Sequence, residues 1–315
     1  MVPALRFRTP MPDFNRKRRL AFTAATLQVI VSSPTARAEL SVRYTPNQKY
    51  DIVVVAHQDD WQLFMGDVVG KRIKEGDSTT FIYLTAGDDG RDSLYWQTRE
   101  LAALQSTRVA VGTQQTNSAP TSCSRTQVRG HAIKQCLTAN VKSYFLRLPD
   151  GKRDGLGFAR QNYQSLRKLR GRKIAAIAAV DGSASYSGWE DLTATVRELI
   201  ERGFTGGEIT IHTTDPSIAA NPHDHFDHRM TGLLVVDVRK TRSWNARYYV
   251  GYALATRAPN RSADQAREKT AIFLAYDREM MHVNKRWSAY GEHPAFYSEC
   301  MLRTYVRNAP VRRVR

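Results

Sequence analysis

Two short polar clusters carry the residue types that could do chemistry. His57, Asp59 and Asp60 fall within one stretch of four residues, and His225, Asp227 and His228 within another. Imidazole and carboxylate in that mixture suit zinc, and a catalytic zinc site takes three protein ligands and keeps a fourth position for water or substrate. His57 and Asp60, three apart, can turn inward together where a strand enters a helix, and His228 would complete the set across a crevice. Zinc held this way lowers the pKa of a bound water to about 7 and polarises a carbonyl oxygen. Another divalent metal would satisfy the same donors, because affinity order alone does not fix identity. Asp59, beside a ligand but not needed as one, is placed to take the proton from that water. His225 would stabilise an oxyanion or protonate a leaving amine, with Asp227 or another carboxylate fixing its orientation. A lone His-Xaa-Xaa-Asp is also a common helix cap. The second cluster argues for chemistry, since three of the chain's eight histidines lie within residues 223–228.

The elements that must position these residues follow from apolar periodicity. Residues 51–56 form a nearly continuous β-branched run, as in a strand buried on both faces of a parallel sheet. Trp61, Phe64, Met65, Val68, Val69 and Ile73 then recur at helical spacing, and Gly76 is a stop. Residues 79–85 read as a second strand, followed by a Gly-Asp turn at 86–90 and a helix over 94–111. Asp88 and Arg91 would line the site from that strand end, although a Gly-Asp turn is often only a turn. Residues 113–135 break the rhythm as an insertion, and 141–148 offer a further strand. Ser187 and Glu190 have capping-box spacing ahead of a helix that stops at Gly203. Residues 208–212 alternate like a strand, and a long loop then delivers the histidine cluster before an apolar segment at 230–236. Residues 248–254 suggest another strand and 262–282 a helix, while the last thirty residues carry no readable pattern. The βαβα order implies an α/β fold, Rossmann-like, in three layers with a mainly parallel central sheet. In such sheets ligands bind outside the carboxyl ends of the strands, so both polar clusters would arrive at one edge. His212 and His223 stay ambiguous, with His223 a weak candidate for touching substrate.

With 315 residues, 42% hydrophobic and 24% charged, the chain has material for a full core, and no repeat points to a solenoid. No run reaches the roughly 20 apolar residues of a membrane span, so no integral membrane segment is expected in the mature chain. The basic cluster Arg16, Lys17, Arg18 and Arg19, an apolar stretch at 20–31 and Ala36-Arg37-Ala38 form a signal-peptide pattern over 1–38. The Arg18-Arg19 pair loosely fits a twin-arginine signal. The expectation is a secreted or periplasmic protein cleaved near Ala38, with one domain over 39–315 and a C-terminal extension after about 240. Loss of 1–38 removes seven basic side chains and one acidic one, lowering the formal charge from +17 to +11. That surplus concerns association, not chemistry. With no zinc-finger spacing or RNA-binding aromatic signature, no nucleic-acid partner is expected. In an oxidising compartment Cys123 and Cys136 could staple a local loop, leaving Cys300.

The two clusters also resemble the PIG-L or LmbE-like zinc-dependent de-N-acetylases. The usual Ala-His-Pro-Asp-Asp-Glu stands here as Ala56-His57-Gln58-Asp59-Asp60-Trp61, and His225-Phe226-Asp227-His228 matches the second motif. Between them, Thr85-Ala86-Gly87-Asp88 and Arg99-Glu100 resemble the family's turn and its helical Arg-Glu positions. The resemblance covers about 50–240. It implies zinc on His57, Asp60 and His228, Asp59 as general base, and His225 as electrostatic helper or acid. Arg99 joins the substrate-binding candidates. Two departures stand out: Gln58 replaces Pro, and Trp61 replaces Glu. Trp61 would stack on a sugar or, being in phase with Phe64 and Met65, pack in the core. The expected activity is an exported zinc-dependent amidohydrolase acting on an N-acetylated amino sugar or glycoconjugate. The rival is a secreted glycan-binding or surface-interaction protein that keeps the fold without turnover, which would not need Asp59. A nucleotide-binding Rossmann domain is disfavoured, because no G-x-G-x-x-G follows the first strand.

Overall fold

A computed structural model of the protein describes residues 49–112 and 120–309. The expected leader at 1–38, residues 113–119 of the expected insertion, and the final residues 310–315, which include Arg312, Arg313 and Arg315, lie outside the described residues.

Strand β1 (Lys49–Val55) sends Ile52 and Val54 to one face of the sheet and Val53 and Val55 to the other, the period-two consequence of the pleat. It leads into α1 (Asp60–Lys74), β2 (Ser78–Thr85) and α2 (Ser93–Val111). Next come β3 (Ser122–Val128), β4 (His131–Thr138), β5 (Val141–Leu148), the short α3 (Leu166–Arg170) and the two-residue strands β6 (Ile177–Ala178) and β7 (Ser185–Tyr186). The chain continues through α4 (Gly188–Glu201), β8 (Glu208–Thr214), α5 (Phe226–Val238) and β9 (Asn245–Tyr249). It closes with α6 (Ala263–Val283), α7 (Ala289–Glu292), α8 (Pro294–Met301) and β10 (Val306–Ala309). The main sheet has eight strands in the order β10-β9-β8-β1-β2-β5-β4-β3, and the five from β9 to β5 are parallel.

Helices cover both faces, giving the three-layer α/β architecture. On one face Leu192, Val196 and Leu199 of α4 and Leu234 and Val238 of α5 pack with Ile52, Val54, Ile209 and Ile211. On the other, Trp61 and Phe64 of α1 and Phe273 of α6 pack with Val53, Val55, Phe81 and Tyr83. Because β1 sits between β2 and β8, the connections leave it in opposite directions and open a crevice at its carboxyl end.

Several local expectations change. The segment read as an insertion is, from Ser122, an antiparallel hairpin of β3 and β4 that widens the sheet beyond β5. Cys123 and Cys136 face each other across it and are disulfide-bonded, so the bridge clamps a hairpin and not a loop. Closing a loop of this size contributes about 3 kcal/mol in the chain-entropy picture. The capping box of Ser187 and Glu190 does not form, because Asp191 takes the Ser187 N–H at 3.0 Å. The strand expected over 248–254 ends at Tyr249, and a 3-10 turn, Tyr252–Thr256, follows.

The C-terminal segment is tied to α6 by Lys269, whose buried Nζ donates to the carbonyls of Cys300 and Arg303 and to Thr304 Oγ1. Burial, opposed by Asp67, lowers this amine from 10.5 to about 8. The unfolded chain therefore binds more protons than the folded one across that window, and the lysine's contribution to stability rises as pH rises through it. Lys269→Met, which strands those acceptors, is expected to cost about 1–3 kcal/mol. In urea melts the gap between wild type and variant should widen from pH 8 to pH 10, and a constant gap would contradict a depressed buried amine.

Candidate metal centre and catalytic cavity

β1 ends one residue before Ala56, and the chain turns at His57 into α1, whose first residue is Asp60. The turn is locked by the His57 N–H donating to Asp60 Oδ2 at 2.8 Å. Across the crevice, α5 brings His228 to the same point. His57 Nδ1 lies 3.2 Å from His228 Nε2, His228 Nε2 lies 3.0 Å from Asp60 Oδ1, and His57 Nδ1 lies 3.5 Å from the same oxygen. All three side chains are buried.

The outward-facing atoms of the two rings fix what the inward-facing atoms carry. His228 Nδ1 is 3.0 Å from Asp224 Oδ1, and His57 Nε2 faces Asp150 Oδ2 at 3.5 Å and Asp227 Oδ2 at 3.6 Å. A neutral imidazole has one N–H; Asp224 takes it outward on His228, while on His57 the two carboxylates lie beyond hydrogen-bond reach and favour the outward nitrogen by charge alone. Two bare ring nitrogens and a carboxylate oxygen then converge with no hydrogen between them, which is repulsive until a cation lies among them. The donor set therefore fits a divalent metal, with two nitrogens and one oxygen as in catalytic zinc sites. Protons on the rings meet the same demand that a cation would. Burial opposes charge on His57, yet Asp60, Asp227 and Asp150 outweigh it and hold this ring well above its ordinary range. Burial likewise opposes charge on His228, but Asp60 and Asp224 raise it to about 10. Asp60 moves well down, because the two histidines overcome its burial. The pocket favours positive charge at its centre.

Asp59, the N-cap residue of α1, is not among the converging donors; it borders the same cavity as His57 and pairs through Oδ1 with Arg99 Nη2, which leaves Oδ2 outside that pair. Arg99 reaches over from α2 and is held in turn by the Gly87 carbonyl at 3.1 Å. Its neighbour Glu100 is structural: fully buried, it takes two bonds from Arg147 and one from Lys134. His225 caps α5, and its Nδ1 accepts the Asp227 N–H at 3.1 Å. The ring proton therefore resides on Nε2, which points toward Asp150 Oδ1 at 3.6 Å. Burial, reinforced by the nearby His57, pushes His225 down to about 4, so the ring is neutral at pH 7. Asp227 orients His225 through its backbone, while its carboxylate accepts the Gly151 N–H at 2.7 Å.

Above the donor set lies a cavity of about 280 Å³ bordered by His57, Asp59, Arg99, Asp150 and His225. Its far wall comes from the C-terminal region: Tyr252, Tyr276, Trp287 and Tyr297. The structure thus gathers His57, Asp59, Asp60, His225, Asp227 and His228 at one place, with Arg91 and Arg99 on the rim. Two candidates are elsewhere. Trp61 is fully buried and packs on Phe81 at 4.9 Å between ring centres, so no face is free for a sugar. Asp88 is also fully buried and accepts the Asp150 N–H at 2.8 Å and the Gly90 N–H at 3.2 Å, which makes it a turn brace. His223 borders a neighbouring cavity, and His212 is a core residue between Asp51 and Tyr249. The sequence reading missed Asp150 and Asp224. Asp150 stands just past the end of β5, where the strand-end rule applies to it as to His57, and Asp224 precedes His228 by four residues.

A three-layer α/β protein with a buried His/Asp donor set at the strand ends of a mostly parallel sheet is the class defined so far. The chain matches the PIG-L family, described as GlcNAc-PI de-N-acetylase, over residues 52–239, and it belongs to that family. It is also similar to several solved structures. N,N'-diacetylchitobiose deacetylase from Pyrococcus horikoshii is 16% identical with a TM-score of 0.46, over 83% of this chain and 84% of that one. A deacetylase triple mutant of the teicoplanin biosynthetic pathway is 12% identical with a TM-score of 0.45, over 79% and 88%. The A40926 pseudoaglycone deacetylase Dbv21 is 13% identical with a TM-score of 0.43, over 84% and 97%. No curated protein matches the sequence. Among the described residues no helix is long and apolar enough to cross a membrane.

Proposed function

We propose that the protein is an exported, zinc-dependent hydrolase that removes the acetyl group from an N-acetylated amino sugar or glycoconjugate. Family membership supports the de-N-acetylase reaction. The observation that supports the metal dependence is the convergence of His57 Nδ1, His228 Nε2 and Asp60 Oδ1 beside a carboxylate that is not among them. His57, Asp60 and His228 would hold a divalent cation, which would supply Lewis acidity and lower the pKa of a water there. Asp59 takes the proton of the attacking water at Oδ2 while Arg99 keeps its other oxygen fixed. As the carbonyl becomes tetrahedral, His225 donates from Nε2 to the developing oxyanion. The C–N bond then breaks, and the proton held on Asp59 passes to the departing nitrogen, giving free amine and acetate. Asp150 and Asp227 keep the proton of His57 on Nε2, and Asp224 does the same for Nδ1 of His228.

The test is acetate release by the mature protein from a panel of N-acetylated mono- and oligosaccharides, with and without chelator. The expected result is release that stops on chelation and returns on adding zinc. A folded, zinc-loaded sample that releases acetate from no member would overturn the reading in favour of a glycan-binding role.

A further inference from the structure

Helix α5 carries a second feature besides the metal donors. Phe226, Arg229, Met230 and Leu233, spaced by three and four residues, form a stripe apart from Asp227 and His228. Arg229, Met230 and Leu233 of that stripe, together with Leu156 and α3, line a cavity of about 400 Å³. Its cations are Arg167, Lys168, Arg170, Lys173 and Arg229, and among the described residues no acidic side chain borders it. Arg170 reaches a carboxylate only at 3.8 Å, on Asp237, and the other four pair with none among the described residues. They are held by other means. Arg167 donates to the Asp154 carbonyl at 2.6 Å and lies 4.3 Å over the Phe226 ring, and Lys168 donates to the Tyr163 carbonyl at 2.8 Å. Arg229 lies 5.8 Å from the Phe226 ring, and its buried Nε has no acceptor. Residues 151–173 as a whole hold eight basic side chains against one acidic one. That acid, Asp154, accepts the Leu156 N–H at 2.9 Å.

Apolar side chains stand among these charges. Leu156, beside Met230 and Leu233 in the cavity, is 50% exposed, and Tyr163, whose ring lies 5.5 Å from Lys168 Nζ, is 55% exposed. The leucine is held out by a built loop. Gly155 and Gly157 on either side of it have φ of +74° and +77°, and a Cβ on them would meet Arg167 Cδ and the Gln164 carbonyl oxygen, each at 2.5 Å. We propose that this face docks the protein on an anionic lipid surface, with the cations on the headgroups and Leu156 and Tyr163 in the interface. Basic side chains around protruding apolar ones are what such a surface selects. A soluble acidic polymer would use the cations but gains nothing from a leucine held out among them. The docking face is separate from the catalytic cavity, and the inference does not rest on the deacetylase reading.

The test is sedimentation of the chain from residue 39 with vesicles of phosphatidylcholine alone, and of phosphatidylcholine and phosphatidylglycerol in equal parts. Starting there removes the basic and apolar leader, which would bind vesicles itself, and leaves the described core whole. Binding is expected on the anionic vesicles only, and it should weaken as salt rises. Each cation near such a surface contributes about fivefold, so Lys168→Gln with Lys173→Gln is expected to lower partitioning about 25-fold. Leu156→Ser should lower it about tenfold. Lys71→Gln with Lys74→Gln removes the same charge from α1, which packs on the opposite face of the sheet from α3 and α5, and should change it little. The lysine pair and Leu156 test the two elements independently, so a variant that fails to fold leaves the other decisive. No binding to anionic vesicles, or an equal loss from the α1 pair, would overturn the docking face. Leu156→Ser binding as tightly as wild type, together with equal binding to soluble polyphosphate, would overturn lipid docking in favour of an acidic polymer.

Discussion

Replacing His228 with Ala or Gln is expected to abolish stoichiometric zinc binding and to lower deacetylase activity at least about a hundredfold, since even outer-shell partners are worth 10–100-fold. The ring supplies one of three inward donors, and the remaining pair, His57 Nδ1 and Asp60 Oδ1 at 3.5 Å, is a poor chelate alone. Ala also strands the buried Asp60 carboxylate, a loss expected to cost about 3–5 kcal/mol of stability. Gln keeps a hydrogen-bond donor toward Asp60, so the two variants separate loss of metal from loss of fold. Asp224→Asn makes the graded comparison. It weakens the hold on His228 Nδ1 without removing a ligand, and is expected to weaken metal affinity by about 10–100-fold. Saturating zinc should restore its kcat. Metal content by elemental analysis and activity against free zinc give both answers, and a His228→Gln variant that keeps full metal and rate would refute the donor set.

The parts of this molecule that were legible from sequence are those whose signal is local. The run at 51–56 and the helical phase of Trp61, Phe64 and Met65 place His57 and Asp60 without ambiguity, because a buried strand and an amphipathic helix each impose a period. The same phase leaves Trp61 open between a sugar and the core, and its full burial against Phe81 decides for the core. Asp150 and Asp224 were recoverable but overlooked. Each carries one carboxylate with no motif around it, and its importance appears only when the ring it faces is known. The cavity wall was not recoverable. Tyr252, Tyr276, Trp287 and Tyr297 come from a 3-10 turn, a long helix, a second 3-10 turn and a short helix. Tertiary packing alone makes them neighbours. The β3–β4 hairpin hid for another reason: as an edge with a largely exposed outer strand it lacks the apolar alternation that betrays a half-buried one.

Asp59→Asn should separate catalysis from metal binding. The carboxylate donates nothing to the group formed by His57, Asp60 and His228, so zinc content and the thermal midpoint in the presence of zinc should stay close to wild type. What is lost is the acceptor for the water proton. Asn can still accept from Arg99 through its amide oxygen, but its nitrogen cannot take a proton, and kcat is expected to fall by about 10²–10⁴. KM should change little, because the proton transfer belongs to the transition state and not to ground-state binding. Arg99→Lys probes the same group from the other side. Arg99 bridges Asp59 and the Gly87 carbonyl with two different nitrogens, whereas a single ammonium cannot keep both contacts in that geometry. Its kcat should fall by less than that of Asp59→Asn, and the double variant should be no slower than Asp59→Asn alone, because Arg99 acts through that carboxylate. A double variant slower by the product of the two single effects would give Arg99 a separate role at the substrate, and an Asp59→Asn enzyme that keeps its kcat would remove Asp59 as the base.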